Sequence, residues 1–115
     1  MLVISNKQIN RLNELYNERY EATTAVYLSN KYPDWAEELG KDAVASFISK
    51  GIKKAERFNI IDSSDVTAFL EYSIQLGPDF EEKEEHTWAA EILRIRNLSG
   101  PEKIGRMLDV HPLRP

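Results

Sequence analysis

A chain of 115 residues without cysteine is long enough to bury one core unaided by disulfides or cysteine-bound metal, and too short for two ordinary domains. Its net charge of -4 at pH 7 opposes general nucleic-acid binding, which needs a basic surface to displace counterions from phosphates. The lack of cysteine fits a reducing, cytoplasmic compartment, and the apolar start Met1-Leu2-Val3-Ile4, ended by Ser5-Asn6-Lys7-Gln8, is too short for a signal-peptide core or a membrane span.

Ser5 reads as the N-cap of a first helix, with Gln8 reaching back from the third helical position and Ile4 stapled to Ile9. Ile9, Leu12, Tyr16, Tyr20, Thr23 or Thr24, and Tyr27 then recur at three- and four-residue steps to about Lys31, which predicts one long helix with an aromatic stripe. Pro33 breaks it. A short helix, Asp34 to Leu39, closes at Gly40, and a third from Lys41 to Phe58 carries the set Val44, Phe47, Ile48, Gly51, Ile52, Ala55 and Phe58 on one face. Gly51 on that face costs about 1 kcal/mol of helix propensity, so close approach of another helix backbone is expected there.

Asn59 takes the left-handed geometry that ends a helix, Ile60 folds back on the last turn, and Asp62 caps a fourth helix from Ser63 to about Leu76. That helix buries Val66, Phe69, Leu70, Ser73 and Ile74, and stops at Gly77-Pro78. After a charged connection, a fifth helix is predicted from Thr87 to Arg96 through Trp88, Ile92, Leu93 and Ile95, and Leu98 follows. Ser99, Pro101 and Glu102 repeat the start signal for a last helix with Ile104, Met107 and Leu108. No strand-length alternation of apolar and polar residues occurs. The expected fold is all-α: an irregular bundle of five to six helices as a single domain over 1–110, with a flexible tail at 111–115.

Candidate chemistry is sparse. Asp79-Phe80-Glu81-Glu82-Lys83-Glu84-Glu85-His86 is the densest ionisable cluster, but it lacks the alternating acids and the turn glycine of a calcium loop. It reads as a solvated connection whose carboxylates Asp79, Glu81, Glu82, Glu84 and Glu85 are suited to steering a basic partner. His86 and His111 are separated by a full helix and neither is followed by a carboxylate at the i+4 spacing of a helical metal site, no serine lies in a strand-to-helix elbow, and no glycine loop suits a phosphate. The expectation is a non-enzyme with no cofactor and no metal; a small metal-dependent enzyme using Asp79, Glu81, Glu82 and His86 is the lesser alternative. Lys50, Lys53, Lys54 and Arg57 form a basic stripe along the outer side of the third helix, suited to an acidic protein surface. Trp35, beside the proline break and among Asp34, Glu37 and Glu38, is expected to be partly exposed and to serve as an interface anchor. These ten residues are the candidate protein-binding set, and the expected partner is another protein rather than nucleic acid or a membrane.

Met1-Leu2-Val3-Ile4 with Gln8 and Leu12, Leu39-Gly40, Gly51-Ile52 with Ala55, Ile60, Asp65-Val66 with Phe69, and Leu76-Gly77-Pro78-Asp79-Phe80 with Trp88 together resemble a family of small bacterial proteins encoded beside type VI secretion spike and effector genes. The resemblance implies a cytoplasmic adaptor or co-chaperone for a secreted effector, or alternatively an immunity protein that neutralises a toxin. It carries over no catalytic residue. The chain departs from the family pattern at Asn59, where glycine is the commoner helix terminator.

Overall fold

The computed structural model of the chain describes residues 18–115. Among them are six α-helices and no strand: α1 (Glu18–Lys31), α2 (Pro33–Leu39), α3 (Lys41–Arg57), α4 (Ser63–Leu76), α5 (Thr87–Leu93) and α6 (Gly100–Val110). Two 3-10 turns, Phe80–Glu82 and Glu84–His86, connect α4 to α5. The all-α class expected from periodicity is the class observed. The start signal at Ser5 and Gln8, the Ile4 and Ile9 staple, and Leu12 and Tyr16 lie outside the described residues.

Local chemistry accounts for most of the helix ends. Pro33 opens α2, whose missing amide hydrogen is no loss in a first turn, and Tyr32 before it leaves helical geometry at φ -125°, ψ 66°. Asn59 adopts φ 64°, and the two amides around it close the end of α3: Asn59 N donates to Glu56 O and Ile60 N to Ala55 O, both at 2.9 Å. These are the paired bonds of a Schellman ending, with Ile60 fully buried as its apolar lock. Asn59 performs the task of the expected glycine because its short polar side chain tolerates the left-handed region. At α6, the Ser99 hydroxyl accepts from Glu102 N at 3.3 Å and donates to the Glu102 carboxylate at 3.0 Å, joining cap and third helical residue.

Helix α4 is the centre of the core. Val66 and the run Phe69, Leu70, Glu71, Tyr72 and Ser73 are all buried, so its apolar contacts spread around the axis rather than along a single stripe. Ile74, expected inside, is only half-buried, while Tyr72 and Glu71 are enclosed. Phe69 touches Phe58 and Phe80, with ring centroids 6.2 and 5.7 Å apart. Helix α3 contributes Val44, Ile48, Ile52 and Ala55. A Cβ at Gly51 would collide with the Leu70 side chain, so the close approach predicted there is to a side chain of α4, not to its backbone.

Three expectations are corrected. The buried residues of α1 are Thr24 and Leu28, whereas Tyr27 is 43% exposed; the inward line steps by four through Tyr20, Thr24 and Leu28, which sets Tyr27 off to one side. Helix α5 ends at Leu93 rather than Arg96, because Arg94 sits at φ -88°, ψ 0° and Ile95 N closes a tight turn onto Ile92 O at 3.2 Å. The tail, expected to have little to fix it, makes specific contacts at His111 and Arg114. Tyr72 donates from its hydroxyl to His111 O at 2.6 Å, the His111 ring stacks on Trp88 at 5.1 Å, and the Gln75 amide both donates to Arg114 O and accepts from Arg114 N.

The tail contact has a measurable pH signature. Burial pushes the Tyr72 hydroxyl up to about 12, so the unfolded chain ionises there at lower pH than the folded one. The associated stability is complete below about pH 10 and is lost as pH rises through about 12. Tyr72→Phe is expected to flatten this alkaline loss in urea midpoints measured from pH 9 to 12, at a neutral-pH cost of about 1 kcal/mol for the lost hydrogen bond.

The start of α6 abuts the corner between α3 and α4. A Cβ at Gly100 would lie 2.7 Å from Asn59 O and 3.0 Å from Ile60 Cα, and backbone atoms there cannot swing aside. Alanine normally improves a helix over glycine by about 1 kcal/mol. Gly100→Ala is nevertheless expected to lower stability by roughly 1–3 kcal/mol, because the clash forces α6 outward. Chemical denaturation checks the sign, and a more stable variant would show that the corner yields.

Candidate functional site

Four of the candidate residues meet at one place. Phe47, Lys50, Gly51 and Lys54 of α3, with Ser73 of α4 and Pro78 and Asp79 of the following turn, line a cleft of about 290 Å³. Trp35 of α2 is half-buried and packs edge-to-face on Phe47, ring centroids 5.0 Å apart. The partial exposure expected for Trp35 is thus present, and its indole supports Phe47, which lines the cleft. The periodicity of α3 brings this about: Phe47, Lys50, Gly51 and Lys54 follow at three- and four-residue steps and share a face.

The lysine stripe and the acidic turn, expected as separate surfaces, are joined to each other. Lys54 Nζ is 2.9 Å from Asp79 Oδ1, donates to Pro78 O at 3.0 Å, and pairs with Glu81 Oε1. Asp79 is held below its usual range chiefly by its hydrogen bond to Lys54. Burial pulls the Lys54 ammonium down, but its bonds to Glu81 and Asp79 outweigh this and leave it raised above 10.5. Glu81, predicted as a solvated carboxylate, is 4% exposed, and its Oε2 has no hydrogen-bond partner among the described residues. Its neighbour Phe80 is responsible. Phe80 is fully buried between Phe69 and Tyr72 and draws the first 3-10 turn into the core.

The remaining candidates divide. Lys50, Lys53 and Arg57 are exposed on α3, and Glu82, Glu84 and Glu85 are exposed on the turns, leaving a basic and an acidic fringe with the Lys54 bridge between α3 and the acidic turn. Among the described residues no group of three histidines, cysteines or carboxylates is placed to hold a metal, and no helix is long and apolar enough to cross a membrane.

Two polar assemblies were not read from the sequence. Glu71 of α4 accepts from Tyr32 at 2.8 Å and Tyr27 at 3.3 Å and pairs with Lys31 at 2.5 Å, which ties α1 to α4. Its place in a helical run invites assignment to a polar face, and the only signal is the cluster of tyrosines ending α1. The second is cationic. Arg57 lines, with Arg94, Arg96 and Lys103, a separate cleft of about 470 Å³. Comparison of the chain with protein-family models, curated proteins and solved structures finds no match.

Proposed function

We propose that the chain is a non-catalytic protein-binding module that uses the cleft between α3 and the turn after α4. The observation that carries this reading is the convergence of the Trp35 and Phe47 ring pair with Lys50 and the Lys54 to Asp79 bridge around one open cleft. Aromatic anchors beside charged groups are what protein interfaces enrich, and the charges on either side orient docking. The narrower assignment, an adaptor or co-chaperone for a type VI secretion effector acting in the cytoplasm, rests on the sequence resemblance alone.

The test is affinity capture from native cells with the wild-type chain and with Trp35→Ala/Lys50→Glu as baits, each verified as folded by thermal melting. A secretion effector or spike component retained by the wild type and lost by the variant is the expected result. Equal retention by both baits removes the cleft from the reading, and recovery of no secretion component removes the adaptor assignment. Co-expression with a captured toxin separates the alternative role: an immunity protein restores growth, and an adaptor does not.

A further inference from the structure

A net-acidic chain has gathered four cations around one cleft. Arg57 ends α3, Arg94 and Arg96 follow α5, and Lys103 lies in the second turn of α6; Phe58 and Leu93 supply apolar lining. No carboxylate lines the cleft, although the chain holds 19 acidic residues. Among the described residues none of the four cations forms a salt bridge.

Lys103 sharpens the point. It is 4% exposed, and its ammonium donates to Phe58 O at 2.8 Å, which leaves its charge without a counter-ion. A buried ammonium costs free energy unless an opposite charge offsets it, and desolvation accordingly lowers its proton affinity. The position is built, not incidental: the close backbone contact of Gly100 with Asn59 and Ile60 sets α6 against the corner, and the early end of α5 frees Arg94 and Arg96 from the helix.

We propose that this cleft is a binding site for a small phosphorylated ligand. It shares no lining residue with the cleft of the proposed protein-binding surface, so neither reading depends on the other. The arrangement favours a compact anion over an extended acidic peptide, because the four cations line one cleft of limited volume. Guanidinium groups match phosphate oxygens bidentately, and a neighbouring ammonium adds a point charge. The volume falls in the range of small-ligand sites, about 300–1,000 Å³, and the half-buried Phe58 ring offers a face for the rest of the molecule.

Pyrophosphate, titrated into the full-length chain at physiological ionic strength and followed by amide NMR, is the probe. Saturable shifts confined to residues 57–59, 93–96 and 103 are expected. Arg94→Gln/Arg96→Gln changes two exposed side chains, so the fold persists, and it should weaken binding roughly tenfold or more. Arg106→Gln, exposed on α6 and outside the cleft, should leave binding unchanged. Unsaturable shifts spread over Lys50, Lys53 and Arg106 would overturn the proposal as general charge attraction. An oligoglutamate or phosphoserine peptide that moves the same amides at lower concentration than pyrophosphate would also overturn it, by assigning the cleft to a partner chain.

Discussion

Phe80→Ala is expected to destabilise the protein by about 3–5 kcal/mol, the range for removing a fully buried phenylalanine from a core. The residue stands in the most charged stretch of the chain, and a solvated connection would tolerate the change within about 0.5 kcal/mol. Its ring instead lies 5.7 Å from Phe69 and 6.0 Å from Tyr72, and truncation opens a void between these two aromatic side chains. A small domain has roughly 5–15 kcal/mol in total, so the variant should show a much lower urea midpoint, or be unfolded in part before denaturant is added. Glu84→Ala and Glu85→Ala, both exposed, should be nearly silent. If all three variants unfold alike, the turn does not anchor the core and Glu81 has no reason to be buried.

What could be read ahead and what could not follows the range of the forces involved. Pro33, Asn59, Gly77 and Ser99 act within a few residues of themselves, through fixed φ, left-handed geometry or a local hydrogen bond, and each marks an observed helix end. The apolar period of α3 is likewise a local property, and it places Val44, Ile48, Ile52 and Ala55 inside. Glu81 could not be read in this way, because Phe80 is the one apolar residue in the charged run around it and its partner Lys54 is on another helix. Nor could the cationic cleft: Arg94 and Arg96 lie where α5 was predicted to continue, and an end point moved by three residues decides whether they belong to a helix face or to a cleft beside Lys103. Trp35, the lysine stripe and the acidic turn were expected as separate surfaces, whereas Lys50, Lys54 and Asp79 line one cleft and Trp35 packs on its Phe47. The reason for their convergence, a turn pulled inward by Phe80, was not visible.

Lys54→Met should be the most damaging change on the exposed side of α3, costing about 3 kcal/mol, because it leaves Glu81 buried without its cation. The aliphatic stem of lysine is retained by methionine, so packing loss is small and the effect is electrostatic. Asp79→Asn, by contrast, should cost no more than about 0.5 kcal/mol: its carboxylate is 69% exposed, and solvent screens the pair. Glu81→Gln in the Lys54→Met background should recover a substantial part of the loss, since a neutral amide needs no counter-ion, and a double-mutant cycle then isolates the coupling. The signs with pH are opposite for the two kinds of group. Asp79 has a lowered folded value, so its contribution is present above the unfolded carboxylate range and is lost as pH falls through the folded value. Lys54 has a raised one, so its contribution is complete below 10.5 and is lost as pH rises through its higher folded value. The bridge is therefore complete across neutral pH, and the gap between Lys54→Met and wild type should narrow as pH rises through the folded value of Lys54. A variant as stable as wild type at pH 7, in urea or heat, would show that Phe80 alone holds the turn in place, and that Lys54 is as available to a partner as Lys50.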